Sequence, residues 1–468
     1  MREHGGGAQT LGVDDSVITN FLARGDQLAI AIESAYELFT ELKHSRPDLL
    51  ALDEAEQVGA TQRHIVNFYA ADAVNPYVAA GAKGPWIVTL KGAVVYDCGG
   101  YGMLGLGHAP DAVLDAMNRP HVMANIMTPS VTQLQFVERL EEELGHTRPD
   151  GCPFSHYLCL NSGSESVTLA SRLADVNAKL LTEPGARYAD RAVKGLTLKG
   201  SFHGRTDRPA RMSDSSIGAY RKYLRSFEDR DYLLTVEPNN VEELASIFEQ
   251  ADRDGVFIEA MFMEPVMGEG NPGQAITPEF YAEARRLTEE HGALLLVDSI
   301  QAGLRAHGAL SIVDYPGFAE LPAPDMETYS KALNAGQYPL SVLAMNERAT
   351  KLYRTGIYGN TMTSNPRTLD VANRFLDQFT DELRQNIRDR GHEFIEKLTA
   401  LANETGDAIT KVQGTGLLFS CELNSRYKCY GAGSTEEYLR KNGLGVIHGG
   451  SRSLRFTPSF AITSEEVD

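Results

Sequence analysis

Apolar residues Leu28, Ile32, Ala35, Phe39 and Leu42 recur at steps of four, three, four and three. That spacing draws one stripe along a helix, which Asp14 or Ser16 can cap and which should stop before Pro47. The glycine-rich residues 1–13 carry no such pattern and are expected to be disordered. Gly84 to Leu90, the pair Lys91-Gly92, and Ala93 to Asp97 predict a β-hairpin. A helix is expected over about Ser130–Leu144. The apolar strand Tyr157–Leu160 then runs through the small-residue turn Asn161-Ser162-Gly163-Ser164-Glu165-Ser166 into an amphipathic helix through Leu173 and Val176. Gly292 to Val297 is a continuous apolar run that ends on Asp298, which reads as a parallel strand buried on both faces. Asp325-Met326-Glu327-Thr328-Tyr329 alternates like a strand and closes on Ser330-Lys331. Helices follow from about Thr368 to Asn403, Val412–Phe419 opens a small α+β region, and Ser453–Pro458 is its last strand.

Composition narrows the class. The 468 residues are 42% hydrophobic and 23% charged, enough for two or three domains around a large core. A net charge of −19 argues against nucleic acid and anionic membrane surfaces as partners. It leaves a phosphorylated cofactor open, because phosphate sites are local. Cys98, Cys152, Cys159, Cys421 and Cys429 form no CxxC pair, so reduced thiols, a cytoplasmic location and no metal are expected. No run reaches transmembrane length, and Met1 to Gly7 lacks the apolar segment of a secretory signal.

The chemistry sits at strand ends. In open α/β sheets ligands bind at the carboxyl ends of the strands, and there Asp298 could pair with a protonated ring nitrogen. A Ser-Lys pair alone is usually solvated. Beside such an acid, however, the amine of Lys331 could form a Schiff base with an aldehyde. Those two groups are the minimum equipment of a pyridoxal 5'-phosphate (PLP) site. The strand–turn–helix at 157–166 offers backbone N–H groups to an anion.

Asp298-Ser299-Ile300-Gln301 followed by Tyr329-Ser330-Lys331-Ala332-Leu333 resembles the signature of the class III aminotransferases, fold-type I PLP enzymes, with the ornithine and acetylornithine branch nearest. The resemblance implies an α/β fold. A large domain with a mostly parallel sheet flanked by helices (111–350) would bind PLP. A small α+β domain would be built from 61–110 and 351–468, behind an N-terminal helical extension, 1–60, that could cover a partner subunit. It implies Gly163 and Ser164 on the PLP phosphate, Phe202 of Phe202-His203-Gly204 stacked on the ring, Asp298 at the ring nitrogen and Gln301 near the phenolic oxygen. Lys331 would be the Schiff-base lysine, with Lys199 as a rival, and Glu165 would be structural. Thr361, in Tyr358-Gly359-Asn360-Thr361, would reach the phosphate of a neighbouring subunit, which implies a homodimer with shared active sites. Arg455 of Leu454-Arg455-Phe456-Thr457-Pro458 would hold a substrate carboxylate. Glu269 of Glu264-Pro265-Val266-Met267-Gly268-Glu269 would gate that arginine or act as a buried strut. Tyr101, in the loop 99–108, would touch substrate or simply pack. One further helix is expected after Ser464, of which the sequence holds the first turn.

The function implied is amino-group transfer between a carboxylate-bearing donor and a keto or aldehyde acceptor. Three departures from the pattern stand out, and the first two keep a second PLP chemistry open. Ser299 stands where the family has glutamate, Thr363 and Ser364 stand where it has two glycines, and Arg305 lies one position early. Elimination, replacement or carbon–carbon bond formation in a natural-product pathway, including on S-adenosylmethionine, is the alternative. A silent, fold-retaining interaction module is the third reading, and it would need a damaged lysine or aspartate.

Overall fold

The computed structural model describes residues 1–99, 101–123, 126–228 and 231–468, so Gly100 of the glycine-rich loop lies outside the described residues. The chain divides into two compact units. One comprises 1–111, 390–413 and 419–468; the other comprises 112–389 and 414–418.

In the first unit, α1 (Asp15–Leu22) and α2 (Gln27–Ser45) precede α3 (Pro47–Ala51) and α4 (Glu54–Gln62). The buried stripe of α2 is Leu28, Ala31, Ala35 and Phe39, with Ala31 in the place expected for Ile32. The reason is close packing. The strands β1 (Ala79–Lys83), β2 (Trp86–Thr89) and β3 (Val94–Asp97) form an antiparallel meander that contains the expected hairpin. A Cβ on Gly81 of β1 would lie 2.5 Å from the Ala35 nitrogen and 2.6 Å from the Ala31 carbonyl. Only small residues on both elements permit that approach.

Residues 1–13, expected to be disordered, are instead bound along this unit. Glu54 accepts from the backbone N–H of Gln9 and of Thr10, both at 2.7 Å. Leu11 N donates to Lys441 O at 2.8 Å and Val13 N to Val94 O at 2.8 Å. The buried Lys91 ammonium donates to Gly5 O at 2.5 Å and Leu52 O at 2.7 Å. A glycine-rich segment without apolar period gains order here from side chains distant in sequence, which periodicity cannot register.

The second unit holds a seven-stranded sheet: β4 (His156–Leu160), β5 (Ala192–Leu198), β6 (Leu233–Val236), β7 (Val256–Met263), β8 (Leu294–Asp298), β9 (Met326–Tyr329) and β10 (Ser341–Met345), in the order β4-β10-β9-β8-β7-β5-β6. Neighbours from β9 to β6 are parallel, and β10 is antiparallel to both β9 and β4. Burial follows the period of two. Ala260, Phe262, Leu294 and Leu296 join one core layer with Val167, Leu169 and Leu173. Met261, Met263, Leu295 and Val297 join the other. Both faces are covered, so the strands read as unbroken apolar runs.

After α5 (Asp111–Met117), α6 (Val131–Glu143) begins in a capping box between Ser130 and Gln133, close to its expected limits. The helix α7 (Gly163–Thr182) follows β4. This unit runs to Asp389 rather than ending near residue 350, because the helix Pro366–Leu376 packs on α6, with Arg139 donating to Leu376 O at 3.1 Å.

The chain's last sheet has β11 (Ile409–Thr415), β12 (Leu418–Leu423), β14 (Ile447–Gly449) and β15 (Ser453–Phe456) in the order β11-β12-β15-β14, while β13 (Leu444–Gly445) pairs in parallel with β3. Among the described residues no helix is long and apolar enough to cross a membrane.

Replacing Lys91 with Met should cost about 2 kcal/mol, because buried carbonyls lose their donor. Limited proteolysis should then cut within residues 1–13, and a wild-type cleavage pattern at unchanged stability would disprove the anchoring role.

Candidate active site

Four parallel neighbours, β5, β7, β8 and β9, release their chains at one edge of the sheet. Residues 199–204, 264–270, 298–301 and 330–331 therefore leave from a common line. β4 is antiparallel to β10, so it runs with β9 and delivers the start of α7 to the same edge. Parity then sorts the side chains. Asp298 continues the Leu294 and Leu296 face, and Asp298 pairs in register with Thr328. The Thr328 hydroxyl donates to Ser166 Oγ of α7 at 2.6 Å, so this face looks toward α7.

Asp298 is 4% exposed. Its Oδ2 lies 2.8 Å from His203 Nδ1, and its Oδ1 accepts from Ile300 N at 3.2 Å. His203 is buried, and its Nε2 lies 3.0 Å from Thr197 Oγ1. Thr197 donates to Phe262 O at 3.1 Å and stands 2.6 Å from Ser201 Oγ. A proton shared between Nδ1 and Oδ2 holds the carboxylate in direction. His203 was missed by sequence reasoning, which took only the aromatic residue from Phe202-His203-Gly204. A histidine in the loop that leaves β5, five residues past Leu198 and at the same edge of the sheet as Asp298, was the available signal.

Two loops close on the first turn of α7. A Cβ on Gly163 would meet Ile300 Cδ1 at 2.5 Å, and a Cβ on Gly204, whose φ is +115°, would meet Ser164 Oγ at 2.4 Å. The exits of β8 and β5 thus both touch this turn. Ser164 Oγ accepts from Arg205 N at 3.2 Å. Neither Gly163 N nor Ser164 N donates to a protein acceptor among the described residues. Glu165 ties the turn down, accepting from Asn161 N at 2.7 Å and Asn360 Nδ2 at 3.1 Å.

Lys331 opens a 3-10 turn, Lys331–Asn334, directly after β9. The Ser330 hydroxyl anchors the preceding residue on Leu340 O at 2.7 Å. Glu264, at the end of β7, reports the proximity of these groups. Burial and then the Asp298 charge push its pKa well up, and Lys331 opposes them. Glu264 Oε2 is buried without a hydrogen-bond partner among the described residues. Gln301 is buried, and a Cβ on Gly268 would strike its amide carbon at 2.3 Å, so the loop after β7 lies flat against that amide. Glu269 is half-buried on the same loop and adds to the field on Glu264. Phe202 is half-buried, with the Arg205 guanidinium 5.2 Å from its ring centroid. Lys199, the rival lysine, is exposed and ion-paired with Glu237.

Thr361 is exposed on a loop held by Asn360, whose Oδ1 accepts from Met362 N at 2.9 Å and Asn161 Nδ2 at 3.1 Å. Thr363 is buried, with its Oγ1 accepting from Asn360 N at 3.0 Å. Ser364 has φ +55°, a left-handed conformation at a non-glycine residue, and donates its N–H to Cys159 O at 3.0 Å.

Within the first unit, Arg455 of β15 is 1% exposed, and its guanidinium sits 5.2 Å from the Tyr101 ring centroid. Tyr69 stacks on Tyr101 at 6.0 Å and 13°.

The second unit's groups fit PLP. The unpaired N–H groups at the start of the 20-residue helix α7 suit a phosphate. The oriented carboxylate of Asp298 suits a protonated ring nitrogen. Glu264 Oε2, without a partner among the described residues, leaves a buried polar atom that a bound group could satisfy.

Residues 68–468 match the class-III aminotransferase family. The acetylornithine aminotransferase of Neisseria meningitidis serogroup B is 28% identical over 397 residues, 84% of this chain and 92% of that protein. The ornithine aminotransferase of Staphylococcus carnosus is 27% identical over 400 residues, again 84% of this chain and 92% of that one. Among solved structures, the ornithine aminotransferase of Toxoplasma gondii, described with partial occupancy of PLP at its active site, superposes with a TM-score of 0.76. It is 24% identical over 91% of this chain and 94% of that chain, a likeness of fold.

Ser364→Gly should raise stability by about 0.5 kcal/mol by relieving the left-handed residue, measured by denaturant unfolding. A loss of stability would show that the serine side chain itself anchors this loop.

Proposed function

The chain belongs to the class-III aminotransferase family of PLP-dependent transferases, and on that premise we propose that Lys331, Asp298 and His203 form its reactive centre. The observation that carries this reading is the buried Asp298–His203 contact of 2.8 Å on the strand next to the one that ends in Lys331. Bound PLP supplies an aldehyde that condenses with amines and a pyridine ring that withdraws electrons from the adjacent carbon. Asp298 keeps a proton on the ring nitrogen, and His203 holds Asp298 in place. Lys331 Nζ would hold the cofactor through its aldehyde carbon and, as a free amine, would be the base for the proton on the substrate carbon. Gly163 and Ser164 offer N–H groups to the phosphate, Phe202 packs on the ring, and Gln301 bonds near the phenolic oxygen.

The substrate we propose is an amino acid whose carboxylate binds the Arg455 fork, with Tyr101 beside that arginine and Glu269 as its gate. The named activities of the relatives, on acetylornithine and ornithine, support a donor that carries both an amino group and a carboxylate. Our reading includes a homodimer in which Thr361 reaches the partner's phosphate. Val122, Met123, Ile126, Met127, Val131 and Leu134 support it as an exposed apolar stretch, with Met127 at 80% and Val131 at 71% exposure. Five free thiols support a cytoplasmic location, and the charge of −19 supports small-molecule rather than nucleic-acid partners. A second reading, PLP-dependent elimination or carbon–carbon bond formation in a natural-product pathway, draws support from Ser299, the buried Thr363 and the left-handed Ser364.

Lys331→Ala should abolish the visible absorbance of the lysine-bound cofactor and the mass that borohydride fixes on that residue. Retained absorbance and turnover would refute the assignment. An amino-group balance decides between the two chemistries, since transfer must yield a keto acid or an aldehyde in step with pyridoxamine phosphate. Arg455→Ala should raise KM for amino acid donors roughly tenfold to a hundredfold while sparing a donor without a carboxylate. An equal effect on both donors would remove Arg455 from substrate binding.

A further inference from the structure

Glu327 is a fully buried acid that the chemistry above does not use. It lies in β9, where Met326 and Thr328 face α7, so its side chain points to the opposite side of the sheet, the side of Val297. Its carboxylate accepts from Ser299 Oγ at 2.5 Å, from Ile312 N at 2.9 Å and from Ser311 Oγ. The phenols of Tyr281, Tyr315 and Tyr329 lie in its field from the helix Pro278–His291, from the end of the turn Ile312–Asp314 and from β9 itself. Burial pushes its pKa up to about 7, and the hydrogen bonds from Ser299, Ser311 and Ile312 pull against that rise. Desolvating a carboxyl in a covered central strand opposes stability, and the three donors that face it offset that cost.

The residue that Glu327 grips is the neighbour of Asp298. Ser299 is joined to β9 twice, by its N–H to Thr328 O at 3.0 Å and by its hydroxyl to Glu327. The chain therefore leaves β8 in a direction set jointly by the β ladder and by one buried carboxyl.

We propose that Glu327 is a positioning residue, whose carboxyl, acting through Ser299, fixes the exit of the chain from β8 and with it the aim of Asp298 at the cofactor. This rests on the reading of Asp298 as the partner of the ring nitrogen. Ser311 and Ile312 complete the clamp by holding the carboxyl from the far side, so that it cannot follow Ser299 when that residue moves.

The test uses the PLP-loaded full chain with Ser299→Ala, Glu327→Leu and Glu327→Gln. Three quantities are read: the pH midpoint of the visible band, the Kd for PLP and the thermal midpoint. Ser299→Ala and Glu327→Leu should move the band's midpoint by about half a pH unit or more and weaken PLP binding about tenfold. Glu327→Leu should do so at a lower thermal midpoint, because Ser299, Ser311 and Ile312 N lose a buried acceptor. Glu327→Gln keeps an acceptor for Ser299 and Ile312 and should stay near wild type in both cofactor readouts. The stability readout has its own sign. A buried acid whose pKa is raised to about 7 contributes most below its unfolded value near 4.5 and loses that contribution as pH rises through 7. Glu327→Gln should therefore flatten the fall in thermal midpoint between pH 5 and 8. If the variants shift the thermal midpoint and leave the band and Kd at wild-type values, the cluster is structural only and the proposal is overturned. Should Glu327→Leu not fold, Ser299→Ala decides by the same criteria. A wild-type chain without the visible band, or a Lys331→Ala chain that keeps it, would overturn the underlying functional reading instead.

Discussion

The hydrogen bond between Asp298 and His203 is the contact on which the rest of the site depends. An ionisable acid at the end of a covered strand is unfavourable unless a partner shares its charge. The histidine comes from the exit of β5, with β7 between the two strands, so the contact exists only when three parallel strands are in register. Thr197 and Ser201 hold the far side of the imidazole, and the orientation of the carboxylate is inherited from backbone packing rather than from a flexible side chain.

The same sheet separates two tasks by parity. One face, turned to α7, carries Thr197, Asp298 and Thr328. The other carries Ser299 and Glu327 among apolar residues. Alternation of side chains across a strand lets neighbouring residues serve cofactor binding and support without crowding one another. The start of α7 is shaped by Gly163 and Ile300 on one side and by Ser164 and Gly204 on the other. An alanine at either glycine would displace the side chain it meets at the first turn of α7, and at Gly204 it would also strain the backbone.

Departures from the family pattern cluster in two places. Ser299 stands where the resemblance puts an acid, and its hydroxyl donates to another acid, Glu327, one strand away on the same face of the sheet. Thr363 and Ser364 replace glycines, and the loop accepts them at the expense of a left-handed serine. Both departures leave the Asp298–His203 contact of 2.8 Å in place.

Periodicity by itself determined the α/β class, the hairpin, the limits of α6 and the buried run of β8 that ends on Asp298. Each is a local statement: apolar spacing dictates which face is covered, and an acid at a strand end needs no distant partner to be noticed. Tertiary structure alone decided that residues 1–13 are anchored by Glu54 and Lys91, that residues 351–389 pack with the large sheet, that Lys199 is spent on Glu237, and that His203 and Glu327 stand on either side of the strand end that bears Asp298. Those outcomes depend on which strands become neighbours and on which side chains meet across them, and contacts between segments far apart in the chain leave no period in a single sequence.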